Sequence, residues 1–411
     1  MRWFLLLLAS VSIAGNLSAQ PTIALVPAKA PRFDALVPVM AQAARCIALS
    51  ETHGYLAFGH DKTYADAHVS LVKLDAKGTP FAYAIPIKLP KPAALVKNKN
   101  YVTGLAFHPK LPLLYVWQEI DVYFTNPPPP APPETMQFDH LCILDISKET
   151  PELMLGMCRG LEFIYGQQGG AIAVDATGSF LYVPNIREIK NAGSLRIGRY
   201  PLDGDGFPAL TDAKDPIAAR VKKLAELSTA GKAMPPTQTP IEYVTLFHVS
   251  GHGCGQAMHP LGKDVLISSV ANNLISWRPD DKNAAVHGLP MKFGGHTQFV
   301  VHPTLPAIFA TTSNYQRPDI LVRAEHVEGY LTLLPKQYII PESKLSGPPA
   351  ILSKQKKVAV GGQNRVYLID LDDKGFPTGE FTQTPVNCPQ VRTMIYSERF
   401  DRLYVGVELS K

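Results

Sequence analysis

A pattern of two short strands joined by a turn occurs seven times along this chain and constrains its fold more than any other feature. Each copy is an apolar strand, a turn carrying His-Pro, Asp or Ser, and a second strand that often ends in Tyr-Val. The turns are anchored at Ser50, His108, Asp175, His259, His302, Ser353 and Ser397. Short-strand repeats spaced by about 43 to 84 residues are typical of propeller blades and their insertions. We therefore predict an all-β fold, a seven-bladed β-propeller of four-stranded antiparallel blades.

A second motif, Leu-Asp-x-(Lys or Asp)-Gly-(Thr or Phe)-Pro, occurs in residues 74–80, 202–208 and 371–377. Each copy follows a short apolar run, which predicts a glycine-containing turn between two strands. If the sevenfold pair forms the inner strands A and B of each blade, this motif joins the outer strands C and D. We expect its aspartates, and the histidines of the A–B turns, to bond the backbone of their own turns. These residues are Asp75, Asp203, Asp372, His108, His259 and His302.

The N-terminus has the pattern of a secretory signal. Arg2 precedes an apolar stretch, and small and polar residues follow up to Ala19. This pattern predicts a signal peptide (residues 1–19) cleaved near Ala19, and a secreted or periplasmic protein. Residues 20–411 are then expected to form a single propeller domain, and we expect a monomer. Beyond the signal, no apolar stretch reaches the roughly 20 residues that a membrane-spanning helix needs.

The seventh copy stops just after its second strand, which would leave an exposed strand edge. We expect two apolar segments, residues 23–26 and 35–39, to return and complete this last blade. Two insertions interrupt the repeats: residues 126–133 are proline-rich and predict an extended spacer. Residues 211–240 contain apolar positions at helical spacing, which predicts a short helix over residues 216–228.

Composition excludes several classes of protein. Charged residues make up 18% of the chain and the net charge of +5 is spread without a basic block, so we expect no nucleic-acid partner. Five cysteines are too few for a disulfide scaffold. Cys142 and Cys158 nevertheless flank a predicted hairpin and would face each other across a symmetric one, which makes them a disulfide candidate. Two buried thiols are the alternative.

Segments such as VDATGSFLYVPN (residues 174–185) and the later SLRIGRYPLDGDG resemble the YVTN and lactonase-like (6-phosphogluconolactonase-like) seven-bladed propellers. That group includes lactonases, muconate-cyclising enzymes and binding propellers without activity. Its members often place a histidine in the loop entering strand A, where this chain has His252 and His296. The enzymes often carry Asp-Leu-Gly after strand B, where this chain has Pro184-Asn185-Ile186-Arg187.

The loops opposite the repeated turns hold the candidate site. Gln168, His252 and His296 lie in glycine-flanked D–A loops of three consecutive blades, where neighbouring loops converge on the central channel. Imidazole can bind a carboxylate or move a proton. Polar residues of the B–C loops add Asn185, Arg187, Asn272, Asn273, Asn314, Arg317 and Asn364. The alternative is a solvated channel mouth with ordinary loop composition.

Metal sites are weakly supported. His248, His252, Cys254 and His259 are close in sequence, but the glycines between them argue against a helix that would align them. Asp203 and Asp205 lack the further oxygen ligands that calcium needs. We expect no metal and no cofactor.

The sequence favours a secreted binding module that recognises a small polar molecule or a protein loop at the channel face. The alternative is a lactonase-like hydrolase or cycloisomerase acting on a sugar lactone or related small acid. Its candidate catalytic residues are His252, His296 and Arg187.

Overall fold

The computed structural model is a seven-bladed β-propeller, and the residues that it describes include one α-helix. It describes residues 22–28, 33–40, 44–64, 67–89, 98–123, 135–160, 171–184, 195–226, 242–246, 254–262, 264–270, 273–279, 287–290, 297–312, 320–327, 330–331, 336–341, 345 and 347–407. In this part of the chain, no helix is both long and apolar enough to cross a membrane.

Three short strands precede the first blade: β1 (Thr22–Ala24), β2 (Val26–Pro27) and β3 (Leu36–Met40). The first four blades are four-stranded antiparallel sheets whose strands follow chain order. Blade 1 contains β4 (Ala44–Ser50), β5 (Tyr55–Tyr64), β6 (Ala67–Leu74) and β7 (Pro80–Ile87). Blade 2 contains β8 (Asn98–Phe107), β9 (Leu113–Tyr123), β10 (Thr135–Asp145) and β11 (Glu152–Gly160). Blade 3 contains β12 (Ala173–Val174), β13 (Phe180–Val183), β14 (Leu195–Pro201) and β15 (Glu242–Leu246), with helix α1 (Ile217–Glu226) between β14 and β15. Blade 4 contains β16 (Cys254–Leu261), β17 (Val265–Val270), β18 (Asn273–Trp277) and β19 (His287–Pro290).

The last three blades also recruit the N-terminal strands. Blade 5 contains β20 (Thr297–Val301), β21 (Ala307–Thr312), β22 (Ile320–Val327), β23 (Tyr330–Leu331) and β24 (Lys336–Ile339). Blade 6 contains β25 (Ala350–Leu352), β26 (Lys357–Gly361), β27 (Arg365–Leu371) and β28 (Pro377–Pro385), with a 3₁₀ turn at Ser353–Gln355. Blade 7 contains β29 (Met394–Ser397) and β30 (Arg402–Val407).

The N-terminal strands pair in parallel with three successive blades. β1 lies on β24 of blade 5, β2 on β28 of blade 6 and β3 on β30 of blade 7. The prediction that residues 35–39 complete the last blade is therefore confirmed. The prediction that residues 23–26 do the same is wrong, because they pair with blades 5 and 6. Within the described residues, blade 7 has three strands and not the predicted four, with β3 parallel to its neighbour.

The seven predicted inner strand pairs are confirmed, and clusters of buried apolar side chains fill the layers where blades pack together. One anchor is misplaced: His259 lies inside β16, opposite Ile267, and not in a turn. Burial lowers the pKa of His259 to about 4, with a smaller contribution from His326, so its imidazole is neutral. We expected His259 to be structural because it would bond the backbone of its own turn. It is structural instead as a neutral side chain within strand β16.

The repeated Leu-Asp motif forms the same turn each time. In residues 74–80, the Asp75 carboxylate accepts hydrogen bonds from the Lys77 and Thr79 amides at 2.8 and 2.7 Å. Gly78 has φ +75°, a left-handed conformation that favours glycine. Asp203 and Asp372 make the corresponding bonds in blades 3 and 6. The aspartates are structural, as predicted. We call this side of the ring, with its A–B and C–D turns, the turn face, and the opposite side the loop face.

The predicted helix in residues 211–240 is confirmed as α1, and its position explains the neighbouring aspartates. Arg220 of α1 is 2% exposed and binds the carboxylates of Asp203 and Asp205. Leu224 packs between β11 and blade 3 in the same buried cluster as Phe207. The Arg220 guanidinium therefore neutralises this aspartate pair. The proline-rich insertion at residues 126–133 lies outside the described residues.

The predicted bridge between Cys142 and Cys158 is wrong in this structure, where Cys142 is a thiol. The hairpin of β10 and β11 exists, but a register shift after Ile143 places Gly156 opposite Cys142. Cys158 instead pairs with His140, so the two cysteines are diagonal rather than facing. Backbone diagonals in an antiparallel pair are longer than direct pairs, which explains why symmetry of the hairpin was a poor guide.

Candidate functional site

The inner strands of all seven blades enclose a central cavity of about 630 Å³. Its lining comes from β4, β8, β12, β16, β20, β25 and β29 and from residues beside them. This volume lies within the range of small-molecule pockets in proteins, roughly 300–1,000 Å³. The channel itself, and not only its mouth, is therefore a candidate site.

The middle of the channel is apolar. Half-buried apolar side chains from six of the seven blades line it: Ile47, Leu49, Phe107, Val174, Met258, Val300 and Ile395. Small residues such as Ala48 and Ala106 stand between them. An apolar wall of this kind contacts the hydrocarbon part of a ligand and not its charged groups.

A set of polar side chains, which we call the polar collar, lies at the loop-face end of this wall. Arg45 and Thr103 stand five residues before the turn anchors of blades 1 and 2, and Gln298 and Thr393 stand four before those of blades 5 and 7. All four line the cavity. Strand A runs from the loop face to the turn face, so these positions share one level of the channel.

Two polar atoms of the collar are buried and unsatisfied. Thr393 is 1% exposed, and its hydroxyl makes no hydrogen bond with any residue that the structure describes. The carbonyl oxygen of the Gln298 side chain is likewise buried without such a bond. The Thr103 hydroxyl donates only a long bond, 3.5 Å, to the Trp117 carbonyl. Buried polar groups without partners are uncommon and costly, so groups of this kind lining a cavity point to a bound polar partner.

The turn-face end of the channel is already occupied by side-chain hydrogen bonds. The Ser353 hydroxyl donates to Glu398 at 2.6 Å, and the Tyr396 hydroxyl donates to Asp401 at 2.5 Å. Burial, followed by the bond to Asp401, raises the pKa of Tyr396, so its phenol stays protonated. The Ser353–Glu398 bond links blades 6 and 7, and the Tyr396–Asp401 bond lies within blade 7. Both are at the turn face, which leaves the polar collar as the end available to a ligand.

A buried cysteine–histidine pair lies away from the channel. The Cys142 sulfur is 3.4 Å from His140 Nδ1, and the same nitrogen is 3.1 Å from the Gln118 carbonyl oxygen. Burial, followed by the nearby His68, lowers the pKa of His140 to about 4. Neither Cys142 nor His140 lines the central cavity. Both side chains are buried in the sheet of blade 2.

The loop residues predicted from the sequence fall outside the described part of the chain. They are Gln168, Asn185, Arg187, His252, Asn272, His296, Asn314 and Arg317. Two of the wider set are described: Asn273 is the first residue of β18, and Asn364 is in the turn between β26 and β27. His296 directly precedes β20, whose second residue is the collar residue Gln298. The roles of these loop residues stay predictions.

The four His and Cys residues considered for a metal site are only partly described. Cys254 and His259 lie in β16, whereas His248 and His252 are outside the described ranges. Within those ranges, no three His, Cys, Asp or Glu side chains are grouped as metal ligands.

Sequence reasoning missed the polar collar. Its members lie inside apolar strands, where a single Thr or Gln reads as ordinary strand composition. The available signal was positional: polar residues recur four or five places before the turn anchor in four blades. Only the closed ring shows that those places meet.

No protein-family model matches the chain, and no curated protein matches it. Solved structures that superimpose on it include a putative 6-phosphogluconolactonase from Bacteroides uniformis, with TM-score 0.48 and 13% identity, covering 86% of this chain and 89% of that chain. A periplasmic gluconolactonase from Pseudomonas aeruginosa has TM-score 0.42 and 10% identity, covering 81% and 96%. A functionally unknown protein from Desulfotomaculum acetoxidans has TM-score 0.47 and 8% identity, covering 84% and 90%. At these identities the likeness concerns the propeller fold and does not extend to activity.

Proposed function

We propose that this propeller is a binding module whose central channel holds a small ligand through the loop-face opening. The polar part of the ligand bonds the polar collar, and its apolar part lies against the channel wall. The observation that carries this proposal is the pair of buried, unsatisfied polar atoms on Gln298 and Thr393 at the end of an apolar cavity. The predicted loop residues would then extend the collar outward.

The rest of the proposal follows from the sequence. We propose that residues 1–19 are a signal peptide and that residues 20–411 form one exported domain. A protein loop with a polar tip is the other ligand class that fits a channel mouth. The lactonase alternative depends on His252, His296 and Arg187, so it is tested together with binding.

The test uses three probes with the purified protein: phenyl β-glucoside, glucose and glucono-δ-lactone. The glucoside offers hydroxyls and an apolar ring, glucose offers hydroxyls alone, and the lactone reports turnover. We expect the glucoside to bind and glucose to bind at least about tenfold more weakly, because only the glucoside uses the apolar wall. Calorimetric titration measures both.

The decisive variant is Thr393→Val, which removes the unsatisfied hydroxyl at nearly constant shape. We expect weaker glucoside binding but an equal or higher free energy of unfolding, because the buried hydroxyl has no partner within the described fold. Thr311→Val is the matched control: the Thr311 hydroxyl donates to the Gly347 carbonyl at 3.0 Å. That variant should lose about 1 kcal/mol of stability and keep its affinity.

Thr393→Val with unchanged affinity would contradict a ligand at the polar collar. Lactone hydrolysis by the unmodified protein that disappears in His252→Ala would establish the enzymatic alternative instead.

A further inference from the structure

A second pocket, separate from the channel, lies on blade 6 at the loop face. It has a volume of about 260 Å³ and is formed around the turn between β26 and β27. The side chains that matter here are Asn364, Arg365, Tyr367, Phe381 and Gln383, together with Pro27 from the N-terminal strand β2. Asn364, which the sequence analysis assigned to the channel face, lines this pocket, whereas no residue of the polar collar does.

The guanidinium group of Arg365 makes two side-chain hydrogen bonds in this pocket. Its Nε donates to the Asn364 side-chain oxygen at 3.1 Å, and its Nη1 donates to the Gln383 side-chain oxygen at 2.9 Å. Guanidinium has donors only, so both amides must present their oxygens to it. Their NH₂ groups are then left as donors beside the arginine. Nη2 of Arg365 is a further donor with no hydrogen bond to the described residues.

The pocket therefore presents donors and a positive charge without a matching acid. No acidic side chain is among the described residues that line it, and within those residues Arg365 forms no ion pair. Asn364 is held in a left-handed conformation, φ +50°, by the turn that presents it. A guanidinium flanked by two amide donors is suited to an anion with planar, paired oxygens.

The floor of the pocket is aromatic. Tyr367 and Phe381 are 4% and 3% exposed and lie edge to face, with ring centroids 5.7 Å apart. Pro27 adds an apolar wall, because β2 pairs with β28 at Phe381. The combination of an arginine and an apolar floor favours an organic anion over an inorganic one.

We propose that this pocket binds the carboxylate of a small organic acid with a flat or apolar body. The carboxylate oxygens accept from Arg365 and from the two amide groups, and the body lies against the aromatic floor. The single positive charge of Arg365 neutralises the single negative charge of a carboxylate. Phosphate carries close to two negative charges, so one of them would have no matching positive charge in the pocket.

The site is coupled to the N-terminal strand that forms its wall. The Ala28 amide donates to the Phe381 carbonyl at 2.8 Å and holds the end of β2 beside the pocket. A ligand that contacts Pro27 binds only the docked state, so it should stabilise the attachment of β2.

The test is a calorimetric titration of the full chain with benzoate, benzamide and inorganic phosphate. Benzamide has the shape of benzoate without its charge, and phosphate has charge without the ring. We expect one benzoate site that benzamide and phosphate fill at least about tenfold more weakly. Benzoate should also slow proteolytic cleavage within residues 22–28.

Arg365→Gln should weaken benzoate binding at least about tenfold, and Gln383→Ala less, since it removes one neutral donor. Lys77→Gln is the charge-matched control, because Lys77 is exposed on the turn face of blade 1 and far from the pocket in the fold. Circular dichroism confirms that each variant is folded.

Equal binding of benzamide, preferential binding of phosphate, or an unchanged benzoate affinity in both Arg365→Gln and Gln383→Ala would each overturn the proposal. Because Thr393 does not line this pocket, its variant separates failure here from failure of the channel proposal.

Discussion

Two of the inner A–B turns, at His108 and His302, are closed by a histidine, which makes them sensitive to pH. His108 Nδ1 accepts hydrogen bonds from the Lys110 and Leu111 amides at 3.1 and 2.9 Å. An Nδ1 that accepts must be unprotonated, so the proton is on Nε2, which lies 3.2 Å from the Gly178 carbonyl of the next blade. One imidazole thus closes its own turn and joins two blades.

This geometry predicts how stability depends on pH. Burial is the largest cause that lowers the pKa of His108, so the folded protein favours the neutral imidazole. The stabilisation is fully present above the unfolded value of about 6.5 and is lost as pH falls toward the lower folded pKa. His108→Asn keeps a side-chain acceptor that does not titrate. The stability advantage of the natural protein over this variant should therefore shrink between about pH 7.5 and pH 5.

Urea unfolding at both pH values measures that advantage. His302→Asn provides an independent copy, because His302 Nδ1 accepts from the Thr304 and Leu305 amides and burial lowers its pKa as well. A difference that stays constant with pH in both variants would contradict this account.

Residue roles were predictable from sequence where the bonding partners are local. Asp75 and His108 bond amides two to four positions away, so a short motif contains the whole interaction. Thr393 shows the opposite case. Its proposed role depends on a cavity formed by seven strands, and the sequence on either side of Thr393 does not indicate that cavity.

Helix α1 shows how an insertion is attached to a propeller blade. Its one buried cation, Arg220, reaches the carboxylates of Asp203 and Asp205 in the C–D turn, and its guanidinium lies 5.7 Å from the Phe207 ring. The Asp203 side chain is 5% exposed. The ion pair therefore has few water molecules to replace it if the arginine is removed.

Arg220→Met should lower the free energy of unfolding by about 3 kcal/mol, since it leaves a buried carboxylate without its partner. Thermal and urea unfolding measure the loss. Lys222→Met on the same helix is the control, because Lys222 is exposed and lies 3.9 Å from Glu226. That change should cost less than about 0.5 kcal/mol. Equal losses in the two variants would show that Arg220 acts only through helix propensity.

Helices and strands could be predicted from the sequence when they were long enough to show a clear hydrophobic pattern. Strands β26, β27 and β28 of blade 6 are five to nine residues long, and the helix carries an apolar stripe. β1 and β2 have three and two residues and pair in parallel, so their partners depend on which blade edge the folded ring leaves free. The expectation that residues 23–26 join blade 7 failed for that reason.

Consecutive blades are linked through the repeated turns. The glycine carbonyl of each Leu-Asp turn accepts a bond from the preceding blade. The Tyr404 hydroxyl donates to Gly78 at 2.6 Å, the Tyr115 hydroxyl to Gly206 at 2.7 Å and Arg323 Nε to Gly375 at 2.9 Å. In blade 5, Phe309 stands opposite Arg323, so the arginine of strand C supplies the donor that a phenylalanine in strand B lacks. The motif is a coupling between blades as well as a turn.

Closure of the ring depends on blade 7 and on the strand β3 that completes it. On the turn face, Glu51 of blade 1 accepts from the Ser397 hydroxyl at 2.6 Å and from the Arg399 amide at 3.1 Å. Opposite β30, β3 contributes Val39, which is 5% exposed in the layer between blades 7 and 1. Without β3, the backbone edge of β30 would be exposed to solvent and to other chains.

Val39→Asp should therefore open the ring, because it places a charge in that layer and displaces β3. We expect a loss of more than about 4 kcal/mol in unfolding free energy, cleavage within residues 33–40 by added protease, and self-association through the β30 edge. Val26→Asp is the matched control, since Val26 is 56% exposed on β2 and the same change should stay within about 0.5 kcal/mol. Urea unfolding, limited proteolysis and sedimentation distinguish the two variants. If both behaved alike, β3 would be an attached strand like β2, and closure would rest on the side-chain bonds between blades 7 and 1.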